Sequence, residues 1–133
     1  MANGTIAFDT LSTSGQITGT AKSVDTDYLA SGSAKSWMNL KGTDTFGLRD
    51  SLNTASATDN GTGDYTQTYT AGFADGNYSV SLINQGTDAE DNGNFACVRN
   101  PATASVRIGS RTARTSGAAD TPYSFTQEFG DLA

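Results

Sequence analysis

The chain is 133 residues long and carries 14 acidic against 8 basic side chains, no histidine and one cysteine. Without His, Ser-His-Asp and Cys-His catalysis and His-based zinc sites are excluded, and the single Cys97 excludes an internal disulfide. A net charge of -6 argues against nucleic acid, whose phosphates demand clustered Lys and Arg, and no apolar run reaches the roughly 18 residues of a membrane span.

In chain order, Met1 to Thr5 lacks the basic region and apolar stretch of a signal peptide, so a non-secreted product is expected. Thr5-Ile6-Ala7-Phe8 reads as a short strand. The polar stretch that follows holds only isolated apolar residues and no helical period, so residues 1–33 are expected to form an extended arm.

From Ala34 the pattern becomes regular. Ser36 to Leu40 sets Met38 and Leu40 against Trp37 and Asn39; Thr45 to Arg49 puts Phe46 and Leu48 on one face. Asp64 to Thr70 alternates Tyr65, Gln67 and Tyr69 against three threonines, and Asn77 to Asn84 aligns Tyr78, Val80 and Leu82. Asn94 to Arg99, Thr103 to Gly109 and Pro122 to Phe129, with Tyr123, Phe125 and Phe129, complete the series. Asp59-Asn60-Gly61-Thr62-Gly63 and Asp75-Gly76-Asn77 between the runs suit tight turns. About seven strands at this spacing predict an all-β domain over residues 34–133, a small antiparallel β-sandwich or barrel.

Such a domain is short of core. Leu, Ile, Val and Phe supply fewer than one residue in five, below the roughly 20% level at which disorder becomes a serious alternative. Charged residues are only 17%, so the chain is no polyelectrolyte. Twelve aromatics at strand-like positions instead predict a core completed between chains, in an obligate homo-oligomer; Trp37 is placed in that core or between chains.

Chemistry-bearing groups are few. Asp88, Glu90, Asn92 and Gly93 fit the start of an EF-hand loop, but Arg99 stands where its closing Glu belongs, so an ordinary solvated loop is the expectation. No metal, no cofactor and no enzymatic activity are expected: nothing nominates a carboxylate pair, and Glu90 and Glu128 are the only glutamates. Arg107, Arg111 and Arg114 read as surface ion-pair partners. Two polar loops, Gln85 to Asn94 and Arg111 to Asp120, are the expected binding surface, because loops on a rigid β scaffold carry recognition groups. Asp88, Asp91, Asn92 and Asn94 offer polar partners for sugar hydroxyls, Arg111 and Arg114 suit an anion, and Tyr123 offers a stacking face.

Gly32-Ser33-Ala34-Lys35-Ser36-Trp37-Met38-Asn39-Leu40-Lys41-Gly42, Arg49-Asp50-Ser51-Leu52-Asn53, Thr58-Asp59-Asn60-Gly61-Thr62-Gly63-Asp64-Tyr65-Thr66 and Ala74-Asp75-Gly76-Asn77-Tyr78 follow one another in order. This series resembles the small β-rich tail-fibre and fibre-tip proteins of tailed bacteriophages, cyanophages among them. The likeness runs from Ala34 to Tyr78, continues more weakly to Phe129 and fades past Asp88. Leu52 replaces the more usual Phe, and Met38 and Leu40 replace Val and Phe, which keeps the apolar character. The resemblance implies a trimeric virion component with no catalytic set. Residues 1–33 would then attach the chain to other virion proteins, and the β head would bind a host surface glycan, or else serve as a purely structural decoration or brace.

Overall fold

The computed structural model describes residues 16–18, 23–85, 94–112 and 117–133, with side chains from Tyr28 onward. The domain is all-β. Strands β3 (Ser36–Lys41), β4 (Gly47–Leu52), β7 (Ser79–Asn84) and β10 (Ser124–Phe129) form one antiparallel sheet, ordered β4-β3-β10-β7. Strands β5 (Thr54–Asp59), β6 (Asp64–Tyr69), β8 (Asn94–Ala102) and β9 (Ser105–Thr112) form a second, ordered β5-β6-β9-β8. We call these sheets I and II. Both are antiparallel throughout, and their eight strands exceed the expected seven by β5.

Ahead of them, β1 (Gln16–Thr18) pairs with β2 (Ser23–Asp25), and a short helix α1 (Thr26–Gly32) follows. The described part of the expected extended arm therefore contains a strand pair and a helix. Asp25 and Thr26 are helix-capping residue types, Asp27 is an acidic first-turn residue and Gly32 a helix-ending one, so the sequence carries local signals for α1. Tyr28 and Leu29 of α1 remain exposed.

The sheets face one another across one core. Sheet I contributes Met38 and Leu40, sheet II contributes Tyr65, Tyr69, Val106 and Ile108, and the connection after β6 adds Phe73 and Tyr78. Phe73 stacks on Tyr78 with ring centroids 4.2 Å apart, and Tyr69 meets both rings edge-on. Phe46 stacks on Tyr65 at 5.8 Å. Aromatic surface thus replaces the scarce aliphatic residues, since each ring buries more area than an aliphatic side chain.

Turn chemistry fixes the hairpin between β5 and β6. Gly61 and Gly63 take positive φ values of 122° and 61°, and Asp59 Oδ1 accepts the Gly61 amide at 2.8 Å. At Gly63 a side chain is barred twice over: the backbone is left-handed, and a Cβ would lie 2.7 Å from the Ala119 amide nitrogen. At the opposite end, Asn53 (φ 53°) carries the chain from sheet I to sheet II in one residue. Its Oδ1 accepts the Ala71 amide at 2.7 Å, and its Nδ2 donates to the Ala71 carbonyl at 2.9 Å. Pro101 lies on β8, an edge strand, where a missing amide is tolerated.

Candidate functional site

The alternation of β3 sends Ser36, Met38 and Leu40 inward, so Trp37 and Asn39 point out. Strand pairing then builds two rows across the outer face of sheet I. Leu52, Trp37, Gln127 and Ser81 lie opposite one another in the first, and Asp50, Asn39, Phe125 and Ile83 in the second. Ile83 is 66% exposed, Leu52 49% and Phe125 38%. Between the rows runs a groove of about 380 Å³, lined by Trp37, Asn39, Ser81, Ile83, Phe125 and Gln127 among others. Asn39 is half-exposed there, while its Oδ1 is buried and has no hydrogen-bond partner among the described residues.

Beside the groove, Tyr123 stacks on Phe125 at 5.8 Å with rings nearly parallel. The Arg49 guanidinium sits 4.0 Å from the Tyr123 ring centre and donates to the Pro122 carbonyl at 3.2 Å. Arg49 and Tyr123 therefore hold one another, a favourable contact between a cation and a ring face.

Directly behind this face the core is polar. Gln67 Nε2 donates to Ser36 Oγ and Thr54 Oγ1, both at 2.9 Å, while its Oε1 accepts Thr126 Oγ1 at 2.9 Å. Glu128 is fully buried, and neither carboxylate oxygen has a hydrogen-bond partner of normal geometry. Burial pushes its pKa up; the polar groups of Thr126, Ser36 and Gln67 act in the opposite direction without cancelling it. The expected apolar series Tyr123, Phe125 and Phe129 is thus not the inner face of β10. Ser124, Thr126 and Glu128 point inward, and Phe125 and Gln127 point out.

The outer face of sheet II is built differently. Asp64 Oδ1 accepts Arg107 Nε at 2.7 Å, and its Oδ2 accepts Arg107 Nη2 at 2.6 Å and Arg99 Nη1 at 2.9 Å. The forked hydrogen bond from Arg107, opposed by partial burial and reinforced by both cations, holds the Asp64 pKa below its ordinary value. Arg107 accordingly has the surface-pairing role expected of it.

Among the expected site residues, Asp88, Asp91, Asn92 and Arg114 lie outside the described residues, as do Glu90 and Gly93. Asn94 opens β8, half-buried, opposite Thr112. Arg111 lies within β9 opposite Phe95, so the second expected loop begins later than Arg111. Tyr123 is engaged with Phe125 and Arg49. The structure therefore brings Tyr123 to the sheet I face, while the other described candidates, Asn94 and Arg111, lie on sheet II. Trp37, expected in the core or between chains, is not in the core of the single chain and lines the groove. Sequence reasoning passed over Asn39, Ile83 and Gln127, although the alternation had already set Trp37 and Asn39 against Met38 and Leu40.

Among the described residues no group of three His, Cys, Asp or Glu side chains is arranged to hold a metal ion. The groove offers ring faces, two carboxamides and a hydroxyl, a set suited to binding. Compared with protein-family models, curated proteins and solved structures, the chain matches none of them.

Proposed function

We propose that this chain is a bacteriophage virion fibre protein whose β domain, a sandwich head assembled as a trimer, binds the host cell surface during adsorption without catalysing a reaction. The observation that carries the binding role is the outer face of sheet I. Trp37, Phe125 and Ile83 stand there on an outward face that a self-sufficient fold would make polar. The ordered motifs from Gly32 to Tyr78 carry the fibre assignment, and a surface glycan is the partner it implies. Residues 1–33 join the head to other virion proteins. Purified protein should bind host cells and compete with phage adsorption, and light scattering should give three times the 13.8 kDa chain mass. A folded monomer at micromolar concentration refutes the trimer; protein that neither binds cells nor blocks adsorption refutes the receptor role.

The second reading, a structural decoration or brace of the virion, is favoured by the other exposed apolar residues, Phe95, Val98 and Leu132, which suit contacts with neighbouring subunits. Under it the protein is in the particle, yet cell binding is absent.

A further inference from the structure

We infer that the groove on the outer face of sheet I is a subsite for an uncharged saccharide, with the sugar ring against Trp37 and Phe125 and its hydroxyls held by Asn39, Gln127 and Ser81. The inference rests on the surface-binding reading for its place in the virion and on the groove alone for its chemistry.

Three features of the groove select this ligand. Its rings offer flat apolar surface of the kind that packs against the C–H face of a pyranose. Its lining contains no ionisable side chain, in a chain with 22 charged ones. An anionic or cationic ligand finds no counter-charge in that lining, since Asp50 at the end of the Asn39 row and Arg49 over Tyr123 both stand outside it. Asn39 is a half-exposed lining residue whose Oδ1 has no partner where it is buried, so turning its carboxamide to a sugar hydroxyl in the groove breaks no existing side-chain bond of that oxygen. The size also fits, since about 380 Å³ falls within the roughly 300–1,000 Å³ of small-ligand sites.

The same features disfavour a second copy of the chain as occupant. The centre of a protein–protein interface is its driest part, and an apolar partner packed over this groove would leave the Asn39 oxygen unpaired along with the Gln127 amide and the Ser81 hydroxyl. A hydroxyl-rich ligand satisfies rings and amides together. One shallow subsite binds weakly, and multiple copies on one fibre convert weak sites into firm adhesion.

Trp37 is the single tryptophan, so its emission reports on this groove alone. The full chain is titrated with neutral oligosaccharides built from glucose, mannose, galactose and N-acetylglucosamine, and with sulfated and uronic-acid oligomers as charged comparators. A saturable change with at least one neutral oligomer is expected. It should be lost in Phe125→Ala and weakened at least about fivefold in Asn39→Ala, as expected for a lost buried hydrogen bond. Thr68→Ala, on the other sheet, should leave it unchanged. Should Phe125→Ala lose its native circular dichroism, Gln127→Ala replaces it. Silence with every neutral oligomer, or a response confined to the charged ones, overturns the inference. So does acrylamide quenching of Trp37 that rises on dilution in step with a falling sedimentation coefficient, because a second copy then covers the groove. Cell binding without a sugar response removes the subsite and spares the fibre reading; a sugar response without cell binding does the reverse.

Discussion

The outer face of sheet II centres on threonine and paired charge, with Asp64 between Arg99 and Arg107 and its exposed ring, Phe95, out on edge strand β8, whereas that of sheet I gathers Trp37, Phe125 and Ile83 around one groove. Their inner faces differ in the complementary sense. Sheet II turns Tyr65, Tyr69, Val106 and Ile108 inward, while β10 of sheet I turns Ser124, Thr126 and Glu128 inward. Sheet II is arranged for stability. Along β10, sheet I turns polar groups inward and Phe125 outward.

The sharpest way to break this comparison is to truncate a ring on each sheet. Tyr69→Ala in sheet II removes a buried ring that packs on Phe73 and Tyr78 and donates to the Tyr78 hydroxyl at 3.1 Å. It should cost about 3–5 kcal/mol in urea unfolding, the range for large aromatic truncations. If the loss is under 1 kcal/mol, the core is not where the structure puts it.

The two carboxylates come next, and their signs are opposite. Burial holds the Glu128 pKa above its ordinary 4.5. Its contribution to stability is therefore complete below about pH 4.5 and lost as pH rises through the raised folded value. Glu128→Gln should stabilise the domain by roughly 1–3 kcal/mol at pH 8, because folding then no longer has to bury a carboxylate or bind a proton to avoid it, and should change little at pH 4. Thermal melts of both proteins across that range check it; equal melting temperatures at pH 8 would place the carboxylate in contact with water.

Asp64 behaves in reverse, since its folded pKa lies below 3.8. Its contribution is present above that value and is lost as pH falls through the depressed one. The fork is partly exposed, with Asp64 at 16% and Arg107 at 47%, so solvent screening holds Asp64→Asn to about 1 kcal/mol at pH 7 and close to nothing at pH 2. A cost that persists at pH 2 would assign the effect to packing.

The smallest effect completes the contrast. Phe125→Ala should cost no more than about 1 kcal/mol, because its ring faces out of sheet I and loses only the Tyr123 stack and its cross-strand neighbours. A loss near that of Tyr69→Ala would mean that the face is buried in the assembled protein.

Much of this architecture was legible in the chain. Tyr65, Gln67 and Tyr69 share a face by spacing alone, and the Asn-Gly and Gly-Asp steps fixed the β5–β6 turn. Strand β5 was not legible, since Thr54 to Asp59 holds only Thr, Ala, Ser and Asp. Its place comes from pairing with β6, and its sole partner in the core is Ala57. Strand β10 shows a different limit. Alternation states which side chains share a face, while the choice of inner face depends on what the opposite sheet presents. Here Gln67 presents an amide, and it selects Thr126 from β10 and Ser36 from β3 ahead of Phe125. Likewise Trp37 was grouped correctly with Asn39 and then assigned by residue type to the core or to a contact between chains; the core of the single chain does not contain it. The groove is a product of pairing across β3, β10 and β7, which are distant in sequence.

Asn53 ties the strands at one margin of the fold as the spine of a book ties its pages. β4 ends at Leu52 and β5 begins at Thr54, while at the opposite margin β7 and β8 are joined through residues 85–93. A one-residue crossing pinned by the Ala71 backbone leaves sheet I no freedom to slide along sheet II at that margin. At the β7–β8 margin the tie is a longer connection together with Asn84 Nδ2, which donates to the Phe95 carbonyl at 3.3 Å. Ile83 stands at that side, so the ease with which the pages open sets how firmly one wall of the groove is held.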